Sequence, residues 1–145
     1  MCRMIGFAAT EPTAIGPFLR ELARQSLEGC RPPGCDRPHE DGFGIALFRN
    51  GHWLLVYEQC AIWEGPLDGL GKLTGTVALL HSRMATDHGT INFTKLHPFR
   101  ARVGGSDLVF CHNGSIYGHE RLFPVAGLPG RTDPQEVIDT QAYFA

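Results

Sequence analysis

Apolar residues along this chain come mostly in short runs broken by glycine, proline and charge, a pattern of strands more than of long helices. Residues 2–9 are apolar and strand-like. The spacing then lengthens. Phe18, Leu22 and Leu27 recur at helical intervals, Thr13 stands where an N-cap would, and Gly29 lies just past the end, so a helix is expected between them. Residues 29–40, rich in proline, glycine and charge, read as a loop. Two strands are expected over 42–48 and 52–58, joined by a hairpin at Asn50-Gly51. Glycines punctuate 65–75, which reads as irregular. Val77-Ala78-Leu79-Leu80 marks a buried strand over 76–83. A long polar connection over 86–105 follows, then a short buried strand at 108–111. Thr132-Asp133 stand as a cap for a last helix over 134–144, with Pro134 at its first position and Glu136 in its first turn. Strands dominate and helices lie near the ends, so the class is α+β, in one domain spanning 1–145.

Composition narrows the function without choosing it. With 43% hydrophobic and 19% charged residues, the chain is built to bury a core. A net charge of -2 offers no basic excess for nucleic acid, so no nucleic-acid partner is expected. No apolar run approaches the roughly 20 residues of a membrane span. The N-terminus, with Glu11 and Pro12 close behind it, does not read as a signal peptide. Cytoplasmic location and no membrane partner are the resulting expectations. Five cysteines (Cys2, Cys30, Cys35, Cys60 and Cys111) do not describe a disulfide framework, so at least one thiol is open to reactive use.

Four places could carry chemistry. Removal of Met1 would leave Cys2 with a free α-amine, so that a base (reference pKa about 7.7–8.0) and a thiol nucleophile (about 8.5) would share one residue. Arg83 ends the buried strand at His81-Ser82-Arg83, where a guanidinium can grip a carboxylate by two hydrogen bonds; the plain alternative is a rim ion pair. Cys111-His112-Asn113-Gly114 ends another buried strand; Asn113 and the Gly114 N–H are two donors suited to a developing oxyanion, while Asn-Gly is equally a turn pair. Asp133 is either a helix cap or an acceptor for a substrate ammonium.

Taken in order, these pieces resemble the class II glutamine amidotransferases of the N-terminal nucleophile hydrolase superfamily, in particular their stand-alone branch. The matching stretches are Met1-Cys2-Arg3-Met4-Ile5-Gly6, Glu40-Asp41-Gly42-Phe43-Gly44, His81-Ser82-Arg83-Met84-Ala85-Thr86, Asn92, His97-Pro98-Phe99, Phe110-Cys111-His112-Asn113-Gly114-Ser115 and Thr132-Asp133. The resemblance implies a four-layer α/β/β/α sandwich of antiparallel sheets. It implies that Cys2 attacks the side-chain amide of glutamine and forms a thioester, with Asn113 and Gly114 as the oxyanion hole. It also implies that Arg83 and Thr86 bind the α-carboxylate and Asp133 the α-amine. No metal or cofactor is implied. Ammonia would pass to an acceptor on a separate synthase subunit. The family places a small hydroxyl residue and a glutamate after its aspartate, where this chain has Pro134 and Gln135. Family domains are also usually longer than 145 residues, which suggests a truncated domain whose exposed sheet edge favours homo-oligomers.

Other readings compete. Cys30, Cys35 and His39 could form a metal-binding module, though their spacing lacks a clean ligand pair. Gly71-Lys72-Leu73 imitates a phosphate loop but has leucine where magnesium needs a hydroxyl. Related N-terminal cysteine amidohydrolases cut other γ-glutamyl or acylated amino-acid amides. His81 and His112 are expected to be satisfied core histidines, and Cys60 and Cys111 buried thiols.

Overall fold

The computed structural model describes residues 2–31, 33–34, 36–86, 91–122 and 138–144. In chain order the main elements are β1 (Arg3–Ala14), α1 (Gly16–Glu28), β2 (Phe43–Arg49), β3 (His52–Glu58), α2 (Leu67–Leu70), β4 (Thr74–Ser82), β5 (Phe99–Val103), β6 (Ser106–Phe110) and α3 (Asp139–Phe144). The β2–β3 hairpin lies where Asn50-Gly51 places it. Both turn residues have positive φ (51° and 82°), the geometry that matches the right-handed twist of the strands.

Three local expectations change. Strand β1 runs on to Ala14, past an irregularity between Ala8 and Thr13, because pairing resumes at Thr13 opposite Gly75. Thr13 is therefore part of the sheet. Its hydroxyl bonds the Glu11 carbonyl at 3.0 Å, and Ile15 takes the cap position of α1 without a side-chain bond. Residues 65–75 hold the single turn of α2 within an otherwise irregular stretch. The connection over 86–105 contains β5, whose alternation Phe99-Arg100-Ala101-Arg102 was hidden by its charges. The last helix is described from Asp139, so the cap expected at Thr132-Asp133 and the start at Pro134 lie outside the described residues.

Four strands form an antiparallel sheet in the order β1-β4-β2-β3, and β5 and β6 form a two-stranded antiparallel sheet. Alternation assigns the faces of the larger sheet. Phe7, Ile45, Leu47, Ala78 and Leu80 face α1 and close a core with Ile15, Leu19 and Leu22, all buried or packed against it. Phe7 stacks on Phe18 with ring centroids 4.6 Å apart. Met4, Gly6 and Leu79 face the other way and line a cleft with Val109, Phe110 and Cys111 of β6 and its end. Phe110 in turn meets Phe144 of α3, with centroids 5.2 Å apart. The layers thus run α1, larger sheet, smaller sheet, α3: a four-layer α/β/β/α arrangement.

Close approach of the segment leading into β5 to the larger sheet requires Gly44. A Cβ there would lie 2.0 Å from the His97 carbonyl oxygen and 2.8 Å from the Tyr57 ring.

Candidate active site

Sheet register creates the site. Arg3 pairs with Ser82, so the residue before one strand, Cys2, meets the residues after the other, Arg83 and Met84. The segment following β6 and the start of α3 close the far wall. The result is an open pocket of about 330 Å³ whose lining includes Cys2, Arg83, Thr86, Gly114 and Asp139.

The Cys2 sulfur is half-buried and touches the backbone of Met84 on both sides. The Met84 N–H donates to Sγ at 3.5 Å, and the thiol lies 3.7 Å from the Met84 carbonyl. Burial raises the thiol above its usual range, while the Met84 bond and the Arg83 charge act to lower it. Arg83 is buried, and its backbone continues the sheet. Its N–H donates to the Gly42 carbonyl at 2.8 Å and its carbonyl accepts from Asp41 N–H at 3.1 Å. Burial lowers the guanidinium, opposed by the charges of Cys2, Asp41 and Asp139.

At the pocket wall two imidazoles pack against each other, His81 and His97, with centroids 4.4 Å apart and their planes tilted by 40°. Both are buried; the backbone of His112 lies within reach of the His81 ring, while among the described residues no hydrogen bond reaches either ring nitrogen of His97. Burial holds His81 down at about 3 and His97 at about 2, so both rings are neutral across the physiological range. His112 differs: its Nδ1 lies 3.3 Å from the Thr140 hydroxyl. Cys111 and Cys60 are half-buried, and burial lifts the Cys111 thiol to about 11.

Of the six site residues expected from sequence, four line the pocket: Cys2, Arg83, Thr86 and Gly114. Asn113 is exposed and is not part of the lining. Asp133 lies outside the described residues. The structure adds Asp139, which sequence reasoning passed over. Its carboxylate accepts the Ile116 N–H at 2.6 Å and the Thr140 N–H at 2.7 Å, and its charge acts on Arg83. A signal was present. Asp139-Thr140-Gln141 supplies the small hydroxyl residue that Pro134 fails to supply after Asp133.

Among the described residues no group of three or more His, Cys, Asp or Glu side chains is placed to hold a metal. Of the suggested metal-binding set, Cys30 is exposed, His39 is buried with Nδ1 at 3.2 Å from the Ser26 carbonyl, and Cys35 lies outside the described residues. No helix among the described residues is long and apolar enough to cross a membrane.

Comparison with known proteins bears on the site as a whole. Residues 1–138 match the family described as Glutamine amidotransferases class-II. The chain is 31% identical to a Haemophilus influenzae protein named "Putative glutamine amidotransferase", over 99% of this chain and 46% of that protein. It is 22% identical to an uncharacterized protein of Methanocaldococcus jannaschii, over 95% of this chain and 37% of that one. The chain thus spans less than half the length of these relatives. Among solved structures it resembles glutamine phosphoribosylpyrophosphate amidotransferase from B. subtilis, in its complex with ADP and GMP. The TM-score is 0.60 at 19% identity, over 94% of this chain and 28% of that one, a likeness of fold.

Proposed function

The chain belongs to the class II glutamine amidotransferases, and from that premise we propose that it hydrolyses the side-chain amide of glutamine to glutamate and ammonia through a thioester on Cys2. The observation that carries this reading is the meeting of Cys2, Arg83 and Asp139 around one pocket. A nucleophile stands there with a cation for an α-carboxylate and an anion for an α-amine.

The chemistry follows from those groups. With Met1 removed, the α-amine of Cys2 takes the thiol proton, and the sulfur attacks the amide carbon. Developing negative charge on the amide oxygen meets the Gly114 N–H, with Asn113 turning inward from its exposed position when substrate binds. The protonated amine then gives its proton to the leaving nitrogen, and ammonia departs. Water, deprotonated by the same amine, attacks the thioester and releases glutamate with the thiol restored. Arg83 holds the α-carboxylate by two hydrogen bonds, aided by Thr86. Asp139 takes the role of ammonium acceptor that sequence had assigned to Asp133, because its charge already acts on Arg83. No metal or organic cofactor enters these steps. Ammonia is destined for an acceptor on another domain or chain.

The test is intact mass before and after incubation with a glutamine-mimicking diazoketone. The expected result is a parent mass lacking Met1 and one adduct that is absent in Cys2→Ala. A processed chain that forms no adduct and releases no glutamate would overturn the glutamine reading. Turnover of a larger γ-glutamyl or acylated amino-acid amide by that same chain would point to the related amidohydrolases instead.

A further inference from the structure

We infer that Arg37 and Asp41 form a positioning pair that grips both peptide groups of Ala85 and so fixes the turn carrying Arg83 and the Met84 N–H that meets the Cys2 sulfur. The inference rests on the reading of Cys2 as the amide-cleaving nucleophile.

The geometry is reciprocal. Arg37 sends both terminal nitrogens to Asp41, Nη1 to Oδ1 at 2.9 Å and Nη2 to Oδ2. Asp41 Oδ2 also accepts the Ala85 N–H at 2.6 Å, and Arg37 Nη2 donates to the Ala85 carbonyl at 3.2 Å. Two residues earlier, the backbone of Asp41 and Gly42 takes the Arg83 carbonyl and N–H. Residues 83 and 85 are thus both held from the 37–42 segment. Met84 between them has its N–H and carbonyl against the thiol. A shift of this turn would move the Sγ partner, the guanidinium and Thr86 together.

Stability alone does not explain the arrangement. A largely buried ion pair recovers little net free energy after desolvation, and this one spends its hydrogen bonds on the turn beside the nucleophile. The carboxylate of Asp41 also opposes thiolate formation at Cys2. A carboxylate placed there makes sense as a grip on the Ala85 N–H. A displacement of about 1 Å at such a site is worth on the order of 10²-fold in rate.

The experiment compares parent, Arg37→Met, Asp41→Asn and the double variant, with Arg24→Met as a control that removes the exposed Arg24–Glu21 pair on α1. Three quantities are read per folded molecule: glutaminase kcat and KM, the rate of Cys2 labelling by the diazoketone, and the rate of Cys2 alkylation by iodoacetamide. Each single variant is expected to lose about 10- to 100-fold in kcat/KM, shared between a higher KM and a lower kcat. The double variant should lie within about threefold of the worse single one, because the pair acts as a unit. Arg24→Met should match the parent. Arg37→Lys, which keeps the charge but loses the fork, guards against misfolding of the other variants and should recover only part of the loss. Variants that fold and retain parental kinetics, or losses that simply multiply in the double variant, would overturn the inference. If the parent itself does not cleave glutamine, the reading of the substrate fails separately. The pair is then judged on iodoacetamide alone, where slower alkylation in both single variants supports it and unchanged rates overturn it.

Discussion

Acidification from pH 7 to pH 5 should cost this protein unusual stability, because burial keeps both His81 and His97 neutral in the folded chain. The sign follows from proton counting. The unfolded imidazoles take protons near pH 6.5, while the folded ones resist until about 3 and about 2. Between those limits the unfolded state binds more protons, so stability is complete above pH 6.5 and is lost as pH falls below it. Over pH 7 to 5 each histidine contributes a loss of about 2 kcal/mol, roughly 4 kcal/mol for the pair. That is a large share of the ~5–15 kcal/mol of a typical domain. Asp41 does not confuse the window. Burial raises its carboxyl, but the bonds from Arg37 and the Ala85 N–H outweigh burial and hold it low, so its contribution fades only at more acidic pH. The assay is urea unfolding followed by circular dichroism at pH 7, 6 and 5, in parent and His81→Leu. Leucine removes one titrating ring at similar volume, so the variant should lose about half as much as the parent. A parent that loses less than about 1 kcal/mol, or a variant that loses as much as the parent, would refute the reasoning.

Three further outcomes follow from the same structure. Asp139→Asn should raise the KM for glutamine about 10- to 100-fold with a smaller change in kcat, measured by glutamate release, since it removes a charged hydrogen-bond acceptor from the head group; an unchanged KM would return that role to Asp133. Gly44→Ala should destabilise by about 1–3 kcal/mol in thermal unfolding, because the new methyl meets the His97 carbonyl, which is backbone and cannot swing aside. Leu19→Ala, on the buried face of α1, should cost about 2–5 kcal/mol in urea unfolding while glutaminase activity per folded molecule stays near parental.

Sequence alone determined the features whose physics is local. Alternating or continuous apolar runs placed β2, β3, β4 and β6, and Asn50-Gly51 set the hairpin because those residues tolerate positive φ. The ordered motifs from Cys2 to Gly114 pointed to a family that the match over residues 1–138 shows. Where the outcome depended on a distant partner, local reading failed. Thr13 looked like a helix cap until pairing with Gly75 claimed it for β1, and β5, whose alternating residues are mostly charged or exposed, stood out as a strand only through its pairing with β6. The site divides the same way. Cys2 and Arg83 stood out as chemistry at strand ends, whereas Asp139 became a candidate only when the chain brought the start of α3 to face them. The grip of Arg37 and Asp41 on Ala85 joins positions 48 and 44 residues apart, and the packing of His81 against His97 goes with the approach of the His97 segment to Gly44. Such contacts have no periodicity and no motif. They arise from register and layer packing, which tertiary structure alone decides.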